Sequence, residues 1–249
     1  MNRGLLFVVS MVMGCLAPGV SGNGHLSFAN NTEVHITRTG CGLIKLCVET
    51  PEQCDLTGKT SCLFASIVTT APSSPNGVDL LVELLGDSSG YIALGLTANE
   101  TEGTSMVFIC AQNRNGSFFF RSAQRNNPNN TISLTQRIVK NITGSVNGTV
   151  IQCKFSVPAV NATTRTSHVT TFTTFLAVGN VTNSMGIGDI NIRLTNKPLN
   201  LADPTSNVAT TSVPTTSVPT TAVPTTAGSS ALASQAVIVL LSVLMYRLS

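Results

Sequence analysis

The chain has 249 residues, of which 42% are hydrophobic and only 10% charged, with fourteen Lys and Arg against eleven Asp and Glu. That length allows a real apolar core, and a formal net charge of +3, which falls near +1 once the expected terminal segments are removed, implies no nucleic-acid partner.

The first twenty-two residues carry one basic side chain, Arg3, then an apolar stretch from Leu5 to Met13 and a small-residue site at Val20-Ser21-Gly22. This is the layout of a cleaved secretory signal. The folded domain is expected over residues 23–200. Losing Cys15 with the signal leaves six cysteines, Cys41, Cys47, Cys54, Cys62, Cys110 and Cys153. An even number in a secreted domain implies disulfides. Their spacing suggests that the first four pair among themselves and Cys110 with Cys153, although fifteen connectivities are open to six cysteines. They lack CxxC spacing and no His lies between them, which argues against zinc.

Helical periodicity is nearly absent. Short runs rich in Val, Ile, Phe and Thr alternate with Gly/Asn/Pro/Ser clusters, which is strand-and-turn patterning. Strands are predicted at 61–70, 78–85, 91–96, 105–111, 117–122, 132–142, 149–155, 169–178 and 188–194. Asn115-Gly116 and Asn147-Gly148 are hairpin signals, and Asp87 to Gly90 reads as a turn. The fold class is therefore all-β, an antiparallel β-sandwich with immunoglobulin-like layers stabilised by disulfides.

Eight Asn-x-Ser/Thr sequons follow the signal, at Asn30, Asn99, Asn115, Asn129, Asn141, Asn147, Asn161 and Asn180. This density points to heavy N-glycosylation at surface positions. No acidic residue lies between Glu102 and Asp189, while Arg114, Arg121, Arg125, Arg137, Lys140, Lys154 and Arg165 do. Such a basic field suits an anionic ligand or sulfated glycan, unless these are solvated positions scattered over strands and loops.

Residues 201–228 are a Thr/Ser/Val/Pro tract with too little large apolar surface to pack, which suits an O-glycosylated stalk. The small residues from Ala227 to Ala231 lead to an apolar run from Ala236 to Tyr246. Those eleven residues fall short of the roughly 20 needed to span a bilayer as a helix. The pattern is that of a glycosylphosphatidylinositol (GPI) anchor signal, removed over 229–249, with attachment at Gly228 or Ser229. The alternative is a short transmembrane helix from about Leu232 with Arg247 as its stop. Removing Arg3 and Arg247 leaves twelve basic against eleven acidic side chains. The expected location is the extracellular face of the cell membrane, with the lipid anchor as the membrane partner.

The stretch Gly90-Tyr91-Ile92-Ala93-Leu94-Gly95-Leu96-Thr97, followed by Met106-Val107-Phe108-Ile109-Cys110, resembles the core signature of DOMON domains. Gly40-Cys41-Gly42 through Lys45, Cys47, Pro51, Cys54 and Cys62 is similar to the animal ferric-chelate-reductase-like branch. So are Asn113 to Gly116 and the Gly148-to-Phe155 segment with Cys153. The resemblance covers about residues 40–196 and implies a β-sandwich that binds haem or sugars or serves as an extracellular interaction module. In haem-binding members a Met and a His hold the iron. The matching positions here are Glu102, before Gly103, and Arg193, so both expected ligands are replaced. Met106 and His168 are the remaining candidates for haem b; packing and an exposed polar position are their competing readings. The reductases of this branch add a multi-helix membrane cytochrome that the sequence does not show.

Motifs for other chemistry are absent: GxSxG, HExxH and GxxxxGK[ST] do not occur. Asp79, Glu83 and Asp87 lie along one strand and its turn and read as surface charges rather than a glycosidase pair. Sugar-stacking aromatics are scarce, with no Trp and Tyr91 the sole Tyr of the domain, and Phe118-Phe119-Phe120 is expected to alternate between core and surface. The reading that results is a non-catalytic, GPI-anchored binding or adhesion module for an extracellular protein or glycan, with no cofactor. Its alternative is a haem b electron-transfer domain working with a separate membrane reductase.

Overall fold

A computed structural model describes residues 26–28, 32–58, 60–73, 77–160, 170–182 and 185–208. The chain divides into two units, 1–209 and 210–249, and the second lies wholly outside the described residues. The expected signal, stalk and anchor segments, including Gly228 and Ser229, therefore fall outside them, apart from 201–208.

The described residues form two antiparallel sheets, as the strand-and-turn pattern predicts. The twelve strands are β1 (Leu26–Ser27), β2 (Leu46–Thr50), β3 (Leu63–Ser73), β4 (Gly77–Asp87), β5 (Tyr91–Thr97), β6 (Thr104–Gln112), β7 (Phe118–Asn126), β8 (Ile132–Leu134), β9 (Lys140–Asn147), β10 (Val150–Val160), β11 (Thr171–Thr182) and β12 (Gly186–Asn200). One sheet runs β1-β7-β6-β5-β11-β12, with β8 also on β7, and the other runs β2-β3-β4-β10-β9. Asn115-Gly116 makes the β6–β7 turn as expected. Gly116 sits at φ +78°, and the flanking strands pair from Gln112 with Phe118 to Thr104 with Asn126.

Alternate residues of both sheets meet in one apolar layer. Phe155 lies 5.5 Å from Phe108 and 5.0 Å from Phe120, ring centroid to ring centroid. Beside these rings Cys110 on β6 bonds to Cys153 on β10, joining the two sheets. The other disulfides are Cys41–Cys47 and Cys54–Cys62, which settles the connectivity within this fold.

Several expectations change. The single strand predicted over 132–142 is two strands in different sheets, because residues 135–139 carry the chain from one sheet to the other. The Phe118-Phe119-Phe120 run does not alternate with solvent, since all three rings are buried. Phe118 and Phe120 join the inter-sheet layer, whereas Phe119 enters a second cluster with Tyr91, Val107, Ile109 and Phe175 on the far side of the first sheet. That side is closed by β12. Its pairing with β11 shifts register three times, such irregularities bend and twist strands, and β12 curls across to reach β8. Ile187, Ile190 and Ile192 then pack on the second cluster.

The outer face of the other sheet is crossed by the extended segment 32–38, whose Val34 and Ile36 bury against Phe64, Leu85 and the Cys54–Cys62 bridge. At the C-terminal end the packed chain continues beyond residue 200. Leu201 is buried, a short 3-10 helix follows at Pro204–Asn207, and Asn207 Nδ2 donates to the Cys47 carbonyl at 2.8 Å.

Candidate functional site

The second cluster begins with the period-two rule. On β7, Phe119, Arg121, Ala123 and Arg125 share one face, so a strand that buries Phe119 and Ala123 buries two arginines with them. Arg121 and Arg125 are 7% and 9% exposed. The basic residues of 102–189 are thus not all solvated positions, and this pair lies inside the curl of the first sheet. Burial pushes both guanidinium groups below their usual range, with the Glu100 charge opposing the shift at Arg125.

Arg125 is held from several sides. Its guanidinium stands 5.5 Å from the Phe175 ring centroid, a cation–π arrangement. Nη1 donates to Asn127 Oδ1 at 3.1 Å, and Nη2 donates to Asn130 Oδ1. Phe175 in turn rests on Gly95. A Cβ at position 95 would meet its ring at 1.9 Å, so this glycine of the GYIALGLT stretch is required by close approach.

Asn127, 5% exposed, organises the neighbouring loop. Its Nδ2 donates to Thr97 Oγ1 and to the Glu102 carbonyl, both at 3.0 Å, and its Oδ1 accepts from Ser105 Oγ and Arg125. Its backbone N–H donates to the Gly103 carbonyl at 3.0 Å. Glu102-Gly103, where a haem ligand would stand by resemblance, is thereby tied to the element carrying Arg125.

A cavity of about 810 Å³ is lined by Arg125 and Asn130 and by β12 from Asp189 to Arg193. Val178, Gly179 and Asn180 of β11 and the turn Asp87-Ser88-Ser89 complete it. Its volume lies within the usual range of small-molecule sites. The wall carries cationic side chains at Arg125 and Arg193 and carboxylates at Asp87 and Asp189, with amides and hydroxyls between them. Tyr91 sits beneath it, fully buried, donating its hydroxyl to the Asp189 carbonyl at 3.0 Å. Burial, followed by the Asp189 charge, raises the Tyr91 phenol well above its ordinary range, so it remains a neutral donor. It offers no exposed ring for stacking.

The residues considered for haem do not converge on this cavity. Arg193 lines it and Glu102 lies in the adjoining loop. Met106 packs against the inter-sheet layer, Met185 packs on the second cluster, and His168 lies outside the described residues. His35 is on segment 32–38, exposed beside Glu33. Among the residues lining the cavity there is neither a thioether nor an imidazole, so the donors present do not fit an iron porphyrin held by Met and His.

Of the acidic trio, Asp87 is exposed as expected, and Glu83 departs from expectation. Glu83 is no surface charge: its side chain is 15% exposed. It takes Lys45 Nζ at 3.0 Å, Lys154 Nζ at 3.3 Å and Ser66 Oγ at 2.7 Å. Asp79 Oδ1 accepts the Ala159 N–H at 2.8 Å, and Asp87 alone reaches the cavity wall. Arg125 stands in the basic stretch singled out by sequence, but its burial, Asn127 and the grouping of Lys45 and Lys154 around Glu83 were missed. The alternation of β7 carried the signal for Arg125, whereas the partners of Asn127 and Glu83 come from distant strands and left none.

Of the sequon asparagines, Asn99, Asn115, Asn129, Asn141, Asn147 and Asn180 are exposed, while Asn30 and Asn161 lie outside the described residues. No helix among the described residues is long and apolar enough to cross a membrane, and they contain no cluster of metal-ligating side chains.

No family model matches the chain, and no solved structure matches it. It is similar to a Danio rerio protein named "Putative ferric-chelate reductase 1", 25% identical over 167 residues, covering 67% of this chain and 28% of that protein. A Xenopus laevis protein of the same name is 26% identical over 116 residues, 47% of this chain and 18% of that one. The chain spans less than a third of the length of these curated relatives. It is thus similar, at 25–26% identity and over part of their length, to proteins named "Putative ferric-chelate reductase 1".

Proposed function

We propose that this chain is a non-catalytic binding module of the DOMON type, presented on the outer face of the cell membrane by a GPI anchor. The observation that carries the binding reading is the cavity along β12. Its one buried lining side chain, Arg125, is held by Asn127, Asn130 and Phe175, and the position where the resembling family would place a haem-ligating His is Arg193 on its wall. A buried arginine, several amides and two carboxylates provide recognition chemistry without a nucleophile–base pair or an iron-ligating set. The anchor rests on the small residues and short apolar tail at the C-terminus, and the sequons exposed on the sandwich suit a glycoprotein.

An absorption spectrum tests the first part. The glycosylated protein, purified from cells supplied with haem, is expected to show no b-type bands. A reduced b-type spectrum lost on replacing Met106 or His168 would overturn the proposal in favour of an electron-transfer domain. The anchor has a separate test. Phosphatidylinositol-specific phospholipase C should release the protein from intact cells, in parallel with Gly228 and Ser229 substitutions that abolish surface display. Retention on cells from which the enzyme releases other GPI-anchored proteins, together with surface display that survives those substitutions, would mean a spanning tail instead.

A further inference from the structure

The cavity described above is lined by a buried charge that makes no direct ion pair among the described residues. Arg125 is more than nine-tenths buried, yet its two polar partners with assigned geometry are the neutral amide oxygens of Asn127 and Asn130. Its Nε is buried with no hydrogen-bond partner. None of the ion pairs among the described residues includes Arg125, and Glu100 acts on it only at longer range. A buried charge is costly unless it is paired. Asn127 and Phe175 hold the group where it is, so it cannot swing out to water without breaking those contacts.

Accordingly, we infer that the cavity binds a small monoanionic ligand, with a carboxylate received by Arg125 and steered by Arg193. This rests on the binding reading of the cavity and specifies its ligand class. A planar guanidinium presents donors in a fork that fits a carboxylate. Arg193, exposed on β12, adds positive potential on the same wall. Asp87 and Asp189 line the same space, so a polyanion meets repulsion there and a single negative charge is favoured. The hydroxyls of Ser88 and Ser89 and the amides of Asn130 and Asn191 suit a body bearing hydroxyl groups.

The test uses a matched pair of probes, D-glucuronate and D-glucose, which differ in the carboxylate at one carbon. Saturation-transfer NMR and calorimetry would be run on the purified glycoprotein carrying Asn180→Gln, with its other N-glycans trimmed by an endoglycosidase that leaves the first sugar on each Asn, so that its own acidic sugars do not compete. Glucuronate is expected to bind and glucose to bind at least about tenfold more weakly, as loss of a charge-assisted hydrogen bond implies. Arg125→Lys keeps the charge but loses the fork and should weaken glucuronate about tenfold or more. Arg193→Gln, on an exposed strand position, should weaken it by a smaller factor with an unchanged unfolding midpoint, which keeps the test valid if the Arg125 variant folds poorly. Equal binding of both probes, unaffected by either substitution, would overturn the anion assignment and leave the binding reading standing. Failure of both probes to bind overturns the ligand class, whereas a haem spectrum would overturn the binding reading itself.

Discussion

Phe175 occupies the space that any side chain at position 95 of β5 would need, and the same ring lies 5.5 Å from the Arg125 guanidinium. The glycine, the ring and the guanidinium form a stack across three strands that are not neighbours in sequence. Gly95→Ala is expected to cost about 1–3 kcal/mol through overpacking, read as a lower urea midpoint at unchanged slope. The same variant should weaken glucuronate binding, since Phe175 cannot shift without moving Arg125. An unchanged midpoint would show that the ring relaxes freely and that the stack is not rigid.

The three disulfides should differ in worth. Cys110 and Cys153 close 43 residues and join the two sheets, whereas Cys41 and Cys47 close only 6. The chain-entropy relation gives roughly 4 kcal/mol for the first and about 2 for the second. Paired Cys→Ala variants of each bridge, compared by chemical unfolding, should fall in that order. Equal losses would assign the stabilisation to local packing rather than to restriction of the unfolded chain.

Glu83 predicts an acid limb. Burial would raise its carboxyl, but the hydrogen bonds from Ser66, Lys45 and Lys154 and the Lys45 charge outweigh it and hold the group below the usual carboxylate range. A pKa lower in the folded than in the unfolded chain adds stability at pH values above the unfolded value. That contribution is lost as pH falls through the folded one. Glu83→Gln should therefore cost roughly 3 kcal/mol at neutral pH, because it leaves buried Lys45 without its counter-charge, and the difference from the parent should shrink in acid. Glu33→Gln, at an exposed ion pair with His35, should leave the midpoint unchanged.

The exposed sequons make a further prediction. Single Asn→Gln changes at Asn99, Asn115, Asn129, Asn141, Asn147 and Asn180 should each reduce the apparent mass by one glycan, a shift that peptide N-glycosidase treatment abolishes. Asn141 and Asn147 lie on β9, an edge of its sheet, where a glycan would block pairing with a second chain. Loss of both should raise the aggregated fraction on heating. A gel shift at none of the six positions would contradict the glycoprotein reading.

Most of the strands are legible in the sequence because their burial follows period two, as in Gly77 to Asp87 and Val150 to Val160. Failures occur where that assumption breaks. β5 is buried along its whole length, and Phe119 and Arg121 are buried on the face that a simple sandwich leaves wet, because the coiling of β12 over that face depends on register shifts that no single strand reveals. The segment with Val34 and Ile36 alternates like a strand yet crosses a sheet without being assigned a place in it. The break at 135–139 is equally hidden, since its residues are as strand-compatible as those on either side. At the site, composition singles out a basic stretch, but only the fold distinguishes Arg125, fixed inside, from Arg114, an exposed turn residue.

The clamp between Asn207 and the Cys47 carbonyl determines how the fold bears load. A pull on the chain beyond Val208 does not reach β12 alone and open it like a zipper. It is shared with β2, a strand of the opposite sheet, whose Cys47 is covalently closed to Cys41. Were the chain beyond Val208 to tether the domain, as proposed above, tension would enter through both layers rather than through β12 alone.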